Sequence, residues 1–251
     1  MSVHSERAGA AMVLTIDRPA TRNALDAATA GALAAAVRAA AGDAEVRAVV
    51  LAAAGDGVFV SGGDLNEIAT LVRSGRGPDE LLAVGEELAE LERCEVPVIA
   101  AVHGATLGGG CELLLFCDQV ICERPVTLCF PHARMGLVPA WGSGTRLLEL
   151  VGARAAARLL YTAEPVSAEA ALAIGLVDEV VERGQARVRA LALAERIADN
   201  PRATVAAAKR ALRAARGELR RAAVAAEQAV FREVWGGPDH LAALAAFAAR
   251  K

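Results

Sequence analysis

An α/β fold with a helical C-terminal region is predicted by three features of the sequence. Strand-like and helix-like segments alternate through its first half, two strands run into glycine-rich turns from which a helix begins, and from about Arg187 the pattern is helical throughout. Taken in order, "AMVLTI" (11–16) reads as a strand and Asp26 to Ala41 as an Ala-rich helix. "VRAVVLAA" (46–53) is a strand, Asp79 to Arg93 a helix and "PVIAAVHG" (97–104) a strand, which is the rhythm of βαβ units. The turns "FVSGGDL" (59–65) and "GATLGGGCELLLFCD" (104–118) follow two of these strands. "DQVIC" (118–122) and "VTLCF" (126–130) come next, then a glycine-rich loop at 136–144 and helices to the end. Pro201 suits a helix first turn, and "GGPD" (236–239) marks the last break. This divides the chain into an α/β part, 1–186, and a helical part, 187–251. The helices of the second part are rich in Ala and Arg and poor in large apolar residues, so they are expected to lie against the α/β body or a neighbouring subunit.

A chain of 251 residues buries roughly three quarters of its unfolded surface. With 55% hydrophobic but only 3% aromatic residues, its core must be built from Ala, Val, Leu and Ile. No apolar run reaches the ~18 residues of a membrane span, and the first residues lack the pattern of a signal peptide, so a soluble, cytoplasmic protein with no membrane partner is expected. The net charge of −3, with no Lys/Arg block, speaks against nucleic acid. Five cysteines, none in a C-x-x-C pair, read as reduced and mostly buried thiols. Cys122, Cys129 and His132 match no zinc spacing, so no metal is expected.

Phosphate-loop, dinucleotide, serine-hydrolase and zinc-protease motifs are absent. The two glycine turns remain. Glycines let backbone approach a ligand, and a helix starting in the turn presents free N–H groups in front of it. Two facing turns could thus supply two donors to one oxygen, an oxyanion hole suited to a thioester enolate. Glu112, just inside the helix after the GGG, is either a capping charge or a general acid/base beside the oxygen held by Gly109 N–H. Cys111 has no evident base nearby and reads as a packing thiol. Asp64 reads as a helix cap and Asp118 as a buried polar tie; His103 and His240 are expected to be structural and His4 to lie in a frayed end.

The series "RNAL" (22–25), "FVSGGDLNE" (59–67), "VHGATLGGGCELLLFCD" (102–118), "MGLVPAWGSGTRLLELVG" (135–152) and "A-x-x-IGLVDEV" (171–180) resembles the enoyl-CoA hydratase/isomerase (crotonase) superfamily over most of the chain. The resemblance implies a spiral of ββα units with a C-terminal helical region that builds trimers, commonly paired into hexamers. It also implies an oxyanion hole made by backbone N–H groups of Ser61 and Gly109. The CoA moiety would run past Arg22, Ala24, Gly63, Asp64 and Leu65, with an acyl-CoA thioester as substrate and no further cofactor. Ser61 stands where hydratases often have Ala, which a backbone donor tolerates.

Hydratases carry a second glutamate in a "P-E" pair about twenty residues after the first. Glu112 matches the first, but Pro131-His132 stands at the second. An imidazole can give or take a proton near neutrality, so one carboxylate and one histidine could divide the work of hydration. The run "H-x-x-M-G-L-V-P-A-W-G" (132–142) resembles the ethylmalonyl-CoA decarboxylase branch of the superfamily more closely. There His132 would bind a leaving carboxylate or protonate the α-carbon, and Trp141 would be a pocket wall. The expected activity is therefore an acyl-CoA lyase, hydratase-like. The alternatives are decarboxylation of a short branched malonyl-CoA, double-bond isomerisation by Glu112 alone, or a non-catalytic CoA-binding subunit. The stretch 68–90 and residues near Trp141 are expected to set the acyl chain.

Overall fold

The computed structural model describes residues 2–249. The chain opens with β1 (Val3–Ala8), paired antiparallel to β2 (Ala11–Ile16) with Val3 opposite Ile16. His4 therefore lies in a strand, not in a frayed end, and its Nε2 is 2.9 Å from Asp17 Oδ2. β1 escapes sequence reading because "VHSERA" is an edge strand with mostly polar, exposed side chains. Asp26 caps α1 (Ala27–Gly42), its carboxylate accepting the Thr29 N–H at 2.7 Å, as N-cap chemistry favours.

The chain then alternates between two sheets. β3 (Ala48–Ala53) leads to β4 (Val58–Val60), followed by α2 (Leu65–Arg73) and α3 (Asp79–Arg93). β5 (Val98–Val102) leads to β6 (Ala105–Leu107) and then α4 (Gly109–Leu114). β7 (Gln119–Glu123) leads to β8 (Thr127–Cys129), a 3₁₀ turn at Pro131–Met135 and α5 (Ser143–Thr162). β9 (Val166–Ser167), α6 (Ala168–Ala173) and β10 (Glu179–Val181) close the spiral. The larger sheet has the order β1-β2-β3-β5-β7-β10, parallel except for β1, and the smaller the order β4-β6-β8-β9. This is the crotonase-type spiral of ββα units. The strands β4 and β6 are only three residues long, so in the sequence each disappears into the glycine-rich turn that follows it.

The main core lies between the sheets and α1 and α3, around Leu14, Leu33, Leu51, Phe59, Leu88 and Phe130. A second, alanine-rich core joins the other face of the larger sheet to α7 (Ala186–Ala198) through Ala186, Ala190 and Ala194. Small residues there let the helix sit close to the strands. α8 (Arg202–Val234) and α9 (Pro238–Ala248) follow; Pro201, expected in the first turn, is the N-cap of α8, and the break expected at 236–239 narrows to 236–237 because Pro238 opens α9.

α8 is tied to the body by charge. Lys209 Nζ donates to Leu91 O and Val96 O, both at 3.1 Å, and pairs with Asp118 Oδ2 at 2.5 Å; Asp118 also accepts the Val98 N–H. A buried ammonium is tolerated only with such partners. No helix of the described residues is long and apolar enough to cross a membrane.

Candidate active site

The loop 22–25 runs beside 61–64. Leu25 and Gly63 form a parallel bridge, Leu25 N donates to Gly62 O at 2.8 Å, and Asp64 N donates to Leu25 O at 2.8 Å. Arg22 and Asn23 both adopt left-handed backbone, φ 55°, a conformation that Asn tolerates best. The buried Asn23 side chain holds the loop, accepting Arg18 N–H and donating to Ala54 O. Asp64 caps α2 by accepting Asn66 N–H at 3.0 Å and meets Arg18 Nη2 at 3.2 Å. Asn23 and Arg18 are supports that sequence reasoning missed.

This loop pair forms one side of a cavity of about 450 Å³. All ten residues singled out from the sequence line it: Arg22, Ala24, Ser61, Gly63, Asp64, Leu65, Gly109, Glu112, His132 and Trp141. The two glycine turns do face each other, for a Cβ on Gly109 would lie 3.1 Å from the Gly63 nitrogen. Gly109 is the first residue of α4, so its N–H has no partner within the helix. Ser61 differs from expectation. Its N–H donates to the Arg22 carbonyl at 3.1 Å, so it can serve a ligand oxygen only by sharing or leaving that acceptor.

Glu112 is buried, and its carboxylate is saturated. Oε1 lies 3.0 Å from His132 Nε2, while Oε2 accepts Ser143 Oγ–H at 2.6 Å, Trp141 N–H at 3.0 Å and Ala140 N–H at 3.3 Å. Burial works to raise its pKa. The hydrogen bond and charge of His132, the Ser143 hydroxyl and the Trp141 N–H outweigh burial and hold the carboxyl below the ordinary carboxylate range. An ionised Glu112 can only accept, so His132 Nε2 carries a proton. His132 Nδ1 is buried and has no hydrogen-bond partner among the described residues.

Trp141 is 4% exposed, and its indole Nε1 donates to Leu81 O at 2.8 Å. It also borders a second, larger cleft between α3 and α8, so its ring is a wall between two cavities. From the stretch 68–90, Ile68 and Leu81 line the first cavity. Cys111 is no nucleophile, since burial pushes its thiol well above the ordinary range and Sγ donates to Thr106 O. His240, expected to be structural, also lines the cavity together with Phe231 and Phe247. Its Nδ1 accepts Gly236 N–H at 3.1 Å, and burial lowers its pKa, which keeps the ring neutral. These three residues lie more than a hundred positions beyond Glu112, and only the fold-back of α8 and α9 brings them near. Among the described residues no group of three His, Cys, Asp or Glu could hold a metal ion.

Comparison with known proteins agrees with this geometry. A sequence profile described as enoyl-CoA hydratase/isomerase matches residues 6–251. The chain is 34% identical over 242 residues to a short-chain-enoyl-CoA hydratase of Clostridium acetobutylicum, covering 96% of this chain and 92% of that one. It is 36% identical over 205 residues to an ethylmalonyl-CoA decarboxylase of Danio rerio, covering 80% and 68%. Among solved structures, a carnitinyl-CoA dehydratase from Mycobacterium avium 104 superposes with a TM-score of 0.85 at 35% identity, covering 98% and 96%.

Proposed function

This chain belongs to the enoyl-CoA hydratase/isomerase family, and on that premise we propose that it is an acyl-CoA lyase which stabilises a thioester enolate. The observation that carries this reading is the Glu112–His132 pair, 3.0 Å apart in the wall of the cavity onto which the Gly109 turn opens. The thioester carbonyl oxygen would take the Gly109 N–H, with the Ser61 N–H turning from Arg22 O to complete the hole. The CoA moiety would pass Arg22, Ala24, Gly63, Asp64 and Leu65. No cofactor is needed beyond the CoA that the substrate carries.

In the hydratase-like reaction, once His132 Nδ1, buried in this structure, is opened to the cavity, a water there gives it a proton as the water oxygen attacks the β-carbon of a 2-enoyl-CoA. The electron pair moves into the enolate held by the hole, and the α-carbon then takes from His132 Nδ1–H the proton that the water gave up. Glu112 orients the imidazole and stabilises it while charged. The named function of the Clostridium relative supports this reading.

A second reading is favoured by His132 itself, which stands where hydratases place a carboxylate. In decarboxylation of a short branched malonyl-CoA, the α-carbon–carboxylate bond breaks, CO₂ leaves, and its electron pair enters the same enolate. A charged His132 would hold the departing carboxylate through Nδ1–H and then protonate the α-carbon. A second carboxylate at that position would repel such a substrate. The Danio relative supports this alternative.

Two parallel assays separate the readings. Crotonyl-CoA is expected to lose its enoyl absorbance in a reaction that needs His132, whereas CO₂ release from ethylmalonyl-CoA would establish the decarboxylase. Silence on both with CoA still bound would leave a non-catalytic binding subunit. The apolar lining from Ile68, Leu81, Val138 and Trp141 suits a short acyl group. Self-association as a trimer or hexamer through the helical region 187–251 is supported by exposed Val188, Leu212, Val230 and Leu241. Five free cysteines fit a reducing, cytoplasmic setting.

A further inference from the structure

α5 starts without a cap of its own. Its N-cap is Gly142, which has no side chain to accept the first N–H groups of the helix. They are taken instead by a residue 84 positions later: Glu227 of α8 accepts Ser143 N–H at 2.9 Å and Gly144 N–H at 2.6 Å, one on each carboxylate oxygen. The fit is close, since a Cβ on Gly144 would come 2.6 Å from Glu227 Oε2. Such a bidentate carboxylate at a helix N-terminus is a strong, charge-assisted contact.

The same short segment holds Glu112. Ala140 N, Trp141 N and Ser143 Oγ all donate to Glu112 Oε2. On the carbonyl side, Arg146 donates to Trp141 O and Gly142 O and is anchored by Glu92 of α3 at 2.7 Å. Segment 140–144 is thus gripped from both sides, and its hydroxyl end depends on α8. We propose that Glu227 is a positioning residue which, through Ser143, fixes the donors on Glu112 and so makes α8 part of the active site. This rests on the reading of the cavity as an acyl-CoA lyase site.

Burial, and then the charge of Glu112, push the Glu227 carboxyl up to about 7, although the N–H groups of Gly144 and Ser143 pull the other way. The charged group that bears on it is Glu112 on α4. Because the folded pKa is raised, the contribution of Glu227 to stability is fully present below its unfolded value and is lost as pH rises through about 7. Ionised Glu227 therefore grips α5 best under the conditions in which it stabilises the fold least.

The test uses Glu227→Gln, Ser143→Ala and the double variant of the full-length protein. Glu227→Gln is expected to lower kcat about tenfold with KM changed by less than about twofold, since a misplaced donor set affects the reacting groups rather than CoA binding. The double variant should be no slower than Ser143→Ala alone, because the two act through one hydroxyl. The melting temperature of the wild type relative to Glu227→Gln should fall as pH rises from about 5 to about 8. Losses in kcat that multiply, or a melting difference that is flat with pH, would overturn the proposal. If the wild type turns over neither thioester, the functional reading fails and the melting comparison alone decides whether Glu227 ionises as the clamp requires.

Discussion

His132→Ala is expected to lower turnover about a thousandfold while leaving CoA thioester affinity within a few-fold of the wild type, and Glu112→Gln is expected to lose nearly as much. The reason is the division of labour that the hydrogen bonds impose. Glu112 has one oxygen on His132 and the other filled by Ser143, Trp141 and Ala140, so it has little freedom to reach a substrate. His132 has one nitrogen on Glu112 and the other buried and unpartnered among the described residues. In the proposed reaction the imidazole exchanges a proton with the substrate or water, and the carboxylate sets its tautomer and stabilises its charged form. A neutral amide at 112 can accept the Nε2–H through its oxygen, but it contributes no charge to imidazolium, and its NH₂ group opposes the donors on the far side. The two residues act as one unit, so the double variant should be no slower than the worse single one. Steady-state kinetics on whichever thioester is turned over decides this. A Glu112→Gln enzyme within about tenfold of the wild type would mean that Glu112 only caps α4.

The division between what the sequence revealed and what it hid follows from range. Segments whose character is local were readable: Asp64 as a cap, Asp79–Arg93 as a helix, and the buried runs of β3 and β5, whose unbroken apolar stretches suit a parallel sheet covered on both faces. β1, β4 and β6 were not, because a polar edge strand and three-residue strands lack the length from which a period can be read. In the site, every cavity residue named from the sequence lies within the first 141 positions, where the chemistry-bearing turns are local. Beyond position 141 the cavity is completed by Phe231, His240 and Phe247 of the C-terminal helices. Their roles depend on how a 33-residue helix folds back, which no spacing along the chain encodes. The pair Glu112 and His132 was visible as two candidates. That one orients the other was not, since it follows from which oxygen meets which nitrogen.

Gly109→Ala is expected to lower kcat by about 10²–10³ and stability by about 1–3 kcal/mol. A methyl group at 109 would lie 2.5 and 2.6 Å from Cζ3 and Cη2 of Trp141, well inside contact distance. The indole cannot step aside freely, because Nε1 is bonded to Leu81 O and the Trp141 backbone N–H is bonded to Glu112. The clash therefore resolves by moving Gly109 and its N–H, by moving Trp141 and with it a donor on Glu112, or by both. Either route damages the hole or the carboxylate. Trp141→Ala alone removes a buried ring and should cost about 3–5 kcal/mol. Combined with Gly109→Ala it also removes the obstacle, so the double variant should be more stable than the sum of the two losses predicts and faster than Gly109→Ala alone. Thermal denaturation and kcat of the three variants form the cycle. Strictly additive stability losses would mean that the 109 turn accommodates a side chain without pressing on the ring, and that the hole is not shaped by Trp141.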